Sequence, residues 1–161
     1  MLQRRRPILT STLILFGMLS VSGVLAWERG DLGVGVVVGN PTGISAKYWQ
    51  GKYQALDFAL AWGYGDYLHI HSTYLYHFYD VIPEPEWALY TGLGGRLKLK
   101  SRRGEGDWSR FAVRMAGGLE FSYPPFEAFL EIAPVFDVAP RTEIDIEGGI
   151  GARFFFRPFR R

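Results

Sequence analysis

The chain contains no cysteine. That excludes disulfides and thiolate metal sites, and it suits export through an oxidising compartment. Beyond residue 26 no apolar run is long enough for a spanning helix. Any membrane crossing there requires a closed barrel, the other structure that satisfies every backbone polar group in lipid. A 3.6-residue apolar period is also missing from this part of the chain. Nor does one sign of charge dominate. The 18 basic residues face 16 acidic ones, and Arg4, Arg5 and Arg6 precede every acid, so the chain after residue 26 balances at 15 against 16. Net charge therefore gives no reason to invoke nucleic acid.

What is present begins with an export leader. Arg4–Arg6 form a basic start, and residues 8–25 are mostly apolar, relieved by Thr10, Ser11, Thr12, Ser20 and Ser22. Val24-Leu25-Ala26 supplies the spaced small residues that a signal peptidase reads. The expected organisation is a signal peptide over 1–26 and one barrel domain over 27–161. A composition of 48% hydrophobic and 21% charged residues argues against disorder in that domain.

The remaining chain alternates. In 55–64 one parity reads Leu56, Phe58, Leu60, Trp62, Tyr64 and the other Ala55, Asp57, Ala59, Ala61, Gly63. Successive strand side chains point to opposite faces, so one face is bulky and apolar while the other is small with isolated charges. Breaks at Gly, Pro, Asn and Asp divide the pattern into eight predicted strands: 32–39, 44–49, 53–62, 67–79, 87–100, 111–123, 129–137 and 143–156. The polar stretch 101–110 reads as a loop. An even strand number suits closure with both ends on one side. The expected fold is all-β: an eight-stranded antiparallel up-and-down transmembrane β-barrel.

Size decides which face is outside. The apolar parity includes Phe58, Trp62, Ile70, Leu93, Met115, Leu130, Ile146 and Phe154. An eight-stranded barrel is only just wide enough to be filled by side chains, and this set is too bulky for it. The opposite parity carries glycines and alanines interspersed with Lys47, Asp57, Arg96, Lys98, Arg114, Glu120, Glu131, Asp137, Asp145, Glu147 and Arg153. Lys47, Arg96, Lys98 and Arg114 lie on predicted strands two, five and six. Glu131, Asp137, Asp145 and Glu147 lie on seven and eight. Buried ions need partners, so these charges predict a cross-lumen ion-pair network that plugs the barrel; the plainer reading is a hydrated channel lining. Tyr48, Trp49, Trp62, Tyr64, Tyr67, Trp87, Trp108 and Tyr123 fall near segment ends and predict two aromatic girdles, or ordinary rim packing.

Motifs with chemistry are few. Gly33-x-Gly35-x-x-x-Gly39 is followed by Asn40-Pro41 and another strand, without the helix N-terminus a nucleotide phosphate needs. His69, His71 and His77 share one parity of one strand. His69 and His71 lie roughly 6.5–7 Å apart along it, a spacing suited to one zinc if a third ligand comes from a neighbour. Asp57 is the candidate, placed opposite His71 if the 63–65 turn has an odd length. The plainer reading is polar lumen residues bonded to acids, and no metal or other cofactor is assigned. His71 and Ser72 are adjacent and point oppositely, so a hydrolase constellation is not formed and no enzyme is expected.

The leader, the alternating segments and the aromatic-ended last strand resemble small eight-stranded outer-membrane barrels of the OmpA/OmpX type. Gly33-Val34-Gly35-Val36, the run from Asn40-Pro41-Thr42-Gly43 to Lys47-Tyr48-Trp49, Ala55–Ala59 and Tyr67–His71 are similar to a bacterial family of such barrels without assigned activity. Glu131-Ile132-Ala133-Pro134 and Gly148-Gly149-Ile150-Gly151 extend the match. The resemblance implies a porin-like fold in the Gram-negative envelope and no particular reaction. Barrels of this kind usually finish on an aromatic residue read by the insertion machinery. Here Phe156 and Phe159 are followed by Arg160 and Arg161, so either Phe156 ends the strand before a basic tail or the signal is degenerate. The reading is a monomeric outer-membrane protein of structural or surface-interaction role, with outer-membrane lipid and the insertion machinery as partners and no nucleic acid. The alternative is a soluble periplasmic barrel holding a lipid-like small molecule in an apolar cavity.

Overall fold

The computed structural model describes residues 27–63, 67–102, 105–140 and 142–156. The expected leader, Tyr64, the side chain of Trp108, Phe159, Arg160 and Arg161 lie outside the described residues and side chains. Eight strands form: β1 (Leu32–Asn40), β2 (Thr42–Trp49), β3 (Gln54–Gly63), β4 (Tyr67–Phe78), β5 (Trp87–Arg102), β6 (Glu105–Tyr123), β7 (Phe126–Ala139) and β8 (Ile144–Phe156). Each runs antiparallel to its sequence neighbour, and β1 meets β8 from Leu32↔Phe156 to Asn40↔Gly148, closing the barrel.

The strands form where apolar alternation sits between turn residues. β1 and β2 are joined through Pro41 alone, and β6 and β7 through Pro124-Pro125. Two regions differ most from expectation, beyond shifts of one or two residues at other strand ends. The predicted loop 101–110 is largely ladder, with Arg102 paired to Glu105. Alternation vanishes when both faces of a hairpin are polar, but backbone pairing does not need it. β7 also starts three residues earlier, at Phe126, directly after the prolines.

Side-chain orientation follows the parity. On β7, Leu130, Ile132, Phe136 and Val138 face out, while Phe129, Ala133, Val135 and Asp137 are buried. Phe58, Leu93, Ile146 and Phe154 are exposed on the outer wall. This corrects the soluble alternative, because the bulky apolar set would have to enclose its cavity and instead coats the exterior.

The interior has two parts. Towards the end that holds β1's start and β8's finish, Trp49, Leu75, Tyr90, Phe129 and Phe155 form an apolar cluster. Trp27 closes it, stacked on Phe155 at 4.1 Å with its indole N–H donating to Ser122 Oγ at 3.0 Å. Trp49, expected in a girdle, is fully buried. Its position continues the inward series Ser45, Lys47, Trp49, and parity overrides the preference of tryptophan for the interface. Tyr48, Trp62 and Tyr123 are exposed, while Tyr67 and Trp87 are half-buried.

Inward glycines make room for these rings. A Cβ on Gly118 would lie 2.3 Å from the Tyr90 ring, and one on Gly151 would lie 2.3 Å from the Phe129 ring. Outward Gly117 would meet nothing within 4 Å. Gly118→Ala is therefore expected to cost about 1–3 kcal/mol by overpacking. Gly117→Ala should be neutral or slightly stabilising through reduced unfolded-state freedom. Urea unfolding of both variants in detergent micelles checks the contrast.

Candidate functional site

The site is the lumen, built from inward positions of seven strands, β2 to β8. In its lower half, Lys47 on β2 pairs with Glu120 on β6 and lies 3.1 Å from Glu127 on β7. Its ammonium sits 4.4 Å over the Trp49 ring. Glu127 accepts from Arg153 of β8 at 2.6 Å, and Arg153 also pairs with Asp57 of β3 and donates to Ser45 Oγ at 2.9 Å. The Arg153 guanidinium lies 3.9 Å from the Phe129 ring centre, so the ion pairs rest on the apolar cluster. His77 meets the Tyr53 carbonyl at 3.1 Å and Glu120 at 3.3 Å.

In the upper half, Arg96 on β5 reaches across to β7 and β8. It pairs with Asp137, donates to Glu147 at 2.6 Å and lies 3.3 Å from Asp145. Lys98 adds contacts to Asp145 at 3.4 Å and Glu147 at 3.7 Å. Arg114 on β6 pairs with Glu131, donates to Thr73 Oγ1 at 3.0 Å and places Nε 3.6 Å from Glu147. Tyr90 donates to the other oxygen of Glu131 at 3.1 Å. At the rim, Arg110 bridges Glu143 at 3.0 Å and Asp137 at 3.5 Å.

The register explains the pairing. β4 and β5 set His71 beside Arg96 and His69 beside Lys98, while β2 and β3 set Lys47 beside Asp57. Each charge thus enters the lumen at a fixed height and meets what the adjacent strand or the opposite wall supplies. Desolvating an ion costs several kcal/mol, which these multiple partners offset. Among the described side chains, seven carboxylates (Asp57, Glu120, Glu127, Glu131, Asp137, Asp145, Glu147) share five cations (Lys47, Arg96, Lys98, Arg114, Arg153), and the rim pair Arg110–Glu143 adds one of each.

All eleven charged residues proposed from the sequence turn inward, although Asp145 remains 41% exposed and Lys98 15%. Lys47 finds Glu127 on β7 and also Glu120 on β6, because it enters the lower half of the lumen. Glu127 was missed because β7 was begun at Phe129. The series Glu127, Phe129, Glu131 carries the parity and identifies it. The zinc reading is also altered. Asp57 lies opposite Thr73, and Ala59 opposite His71, so Asp57 reaches His71 Nε2 only diagonally, at 3.4 Å. The grouping with His69 and His71 includes Glu147 from the far wall instead. Below the strands, burial together with Glu120 and Glu127 raises the Tyr79 phenol above its ordinary range.

No family model matches this chain, and no curated protein is detectably similar to it. Among solved structures, it is similar to the N-terminal β-barrel domain of Pseudomonas aeruginosa OprF, with 14% identity and a TM-score of 0.64, covering 81% of this chain and all of that one. It is also similar to a de novo designed transmembrane β-barrel, with 16% identity and a TM-score of 0.56, covering 82% of this chain and all of the design. At these identities the likeness is one of fold: a closed eight-stranded antiparallel barrel of the transmembrane type.

The network predicts a large cost for removing one shared cation. Arg153→Met leaves Asp57 without its guanidinium and Glu127 with Lys47 alone, and should destabilise by about 3–5 kcal/mol. Adding Asp57→Asn should recover part of that loss, because the stranded charge is then gone. Denaturant unfolding of the single and double variants in micelles measures both.

Proposed function

We propose that this chain is an integral outer-membrane protein whose barrel is plugged, serving a structural or surface-interaction role as a monomer. The observation that carries this reading is the filling of the lumen: an apolar cluster at one end, and ion pairs spanning the remainder from wall to wall. An apolar exterior favours lipid tails as its surroundings, and the export leader and barrel form suit delivery by the outer-membrane insertion machinery. β8 ends on outward Phe156, which supplies an aromatic finish to the last described strand. The connections among described residues are short, which favours a role for the barrel wall or rim over a large adhesive surface. The lumen's acids and bases are engaged with one another, which supports a role other than catalysis.

The protein should fractionate with the outer membrane, need detergent for release and migrate differently in gels before and after heating. Reconstituted in planar bilayers it should be electrically silent. A stable single-channel conductance would refute the plug, and release with the soluble periplasm would refute the membrane assignment.

A further inference from the structure

We propose that His69, His71 and Glu147 form a site for one divalent transition-metal ion of the zinc class, in the upper half of the lumen. Three independent observations converge there. The first is charge. The described lumen side chains carry two more carboxylates than Lys and Arg cations, as counted above. One of the two falls in the upper half, where Glu131, Asp137, Asp145 and Glu147 face Arg96, Lys98 and Arg114, and a cation bound there would offset it.

The second is geometry. His69 and His71 occupy successive inward positions of β4, with His69 Nε2 3.2 Å from His71 Nδ1. One ligand atom from each of His69, His71 and Glu147 lies within 4.8 Å of the others, and all three residues are buried. Two imidazoles and a carboxylate are a ligand set zinc accepts, with a position left open. The far nitrogen of His71 faces Asp57 at 3.4 Å, the carboxylate support that metal-bound imidazoles usually have.

The third is unmet hydrogen bonding. His69 Nδ1 and Glu147 Oε2 are buried without a hydrogen-bond partner. Arg96 engages Glu147 through Oε1, while Oε2 faces Arg114 Nε at 3.6 Å, beyond hydrogen-bonding reach. Arg96, Lys98 and Arg114 also face this region, but Asp137, Asp145 and Glu131 hold them. Arg96 Nε and Arg114 Nε are likewise unbonded, so the layer is not closed by protein groups alone.

Two protons on the lumen histidines would balance the same charge, and the experiment separates these cases. Folded protein in detergent is stripped with chelator and titrated with Zn2+ by calorimetry, and with Co2+ by visible absorption. The expected result is one ion per chain, a rise in unfolding temperature and the ligand-field bands of low-coordinate cobalt. His71→Gln, verified as folded by heat-modifiable migration, should weaken binding at least about tenfold, and Asp57→Asn about 10–100-fold. His77→Gln should leave binding unchanged, since His77 lies roughly 20 Å from His71 along the strand. Absence of cobalt bands and of a zinc-dependent shift would overturn the site, as would undiminished binding in folded His71→Gln. Imidazole NMR of the metal-free protein showing two charged histidines at pH 7, unaltered by added zinc, would assign the charge to protons.

Discussion

An ion inside a narrow barrel has no water to retreat to, and that constraint organises this molecule. Every inward charge must find its counter-charge across a space one or two side chains wide. Arg96 illustrates the outcome: its guanidinium touches Asp137, Asp145 and Glu147 on two strands of the far wall. Arg153 does the same lower down, linking Asp57 on β3 to Glu127 on β7. Arg153–Glu127 joins register partners on the adjacent strands β7 and β8. The Arg96 pairs and Arg153–Asp57 cross between strands that are not neighbours in the sheet, so they brace the cross-section as well as balancing charge. Their net contribution to stability is small compared with the cost of breaking one of them.

The apolar cluster solves the same filling problem with different chemistry. Phe129, Phe155, Leu75 and Tyr90 occupy space that the glycines opposite them vacate, and Trp27 closes the end. Lys47 over Trp49 and Arg153 over Phe129 join the two chemistries. Long cationic side chains have an apolar stem and a charged head, so they can belong to both regions at once.

Much of this was legible in the sequence, because a strand's two-residue period labels each side chain as inward or outward. The inward set of eleven charges follows from that label once turn residues divide the strands and side-chain bulk decides which face is outside. Pair identity does not, because it depends on register and on which strands face each other across the lumen. The sequence offers Lys47 no particular partner, and a turn centred on 64 puts Asp57 opposite His71, whereas the register puts it opposite Thr73. Trp49 was misread because residue preference was set above parity, and Glu127 because a strand start was set three residues late. The extended hairpin of β5 and β6 is hidden because the sequence from 101 to 110 is largely polar at both parities and so carries no alternation. The Glu147 grouping with His69 and His71 joins residues 76 positions apart in the chain and leaves no local signature.

The unequal heights of the barrel wall have a mechanical consequence. β1, β2 and β3 contain 9, 8 and 10 residues, whereas β5 and β6 contain 16 and 19. A tilted strand needs about 9–11 residues to cross the hydrocarbon layer, so the low side barely spans it and the high side overshoots. In a bilayer, hydrophobic mismatch would then differ around the circumference and be greatest beside β1–β3. The taller β5–β6 side gives the barrel wall two unequal flanks, a definite front and back around its circumference.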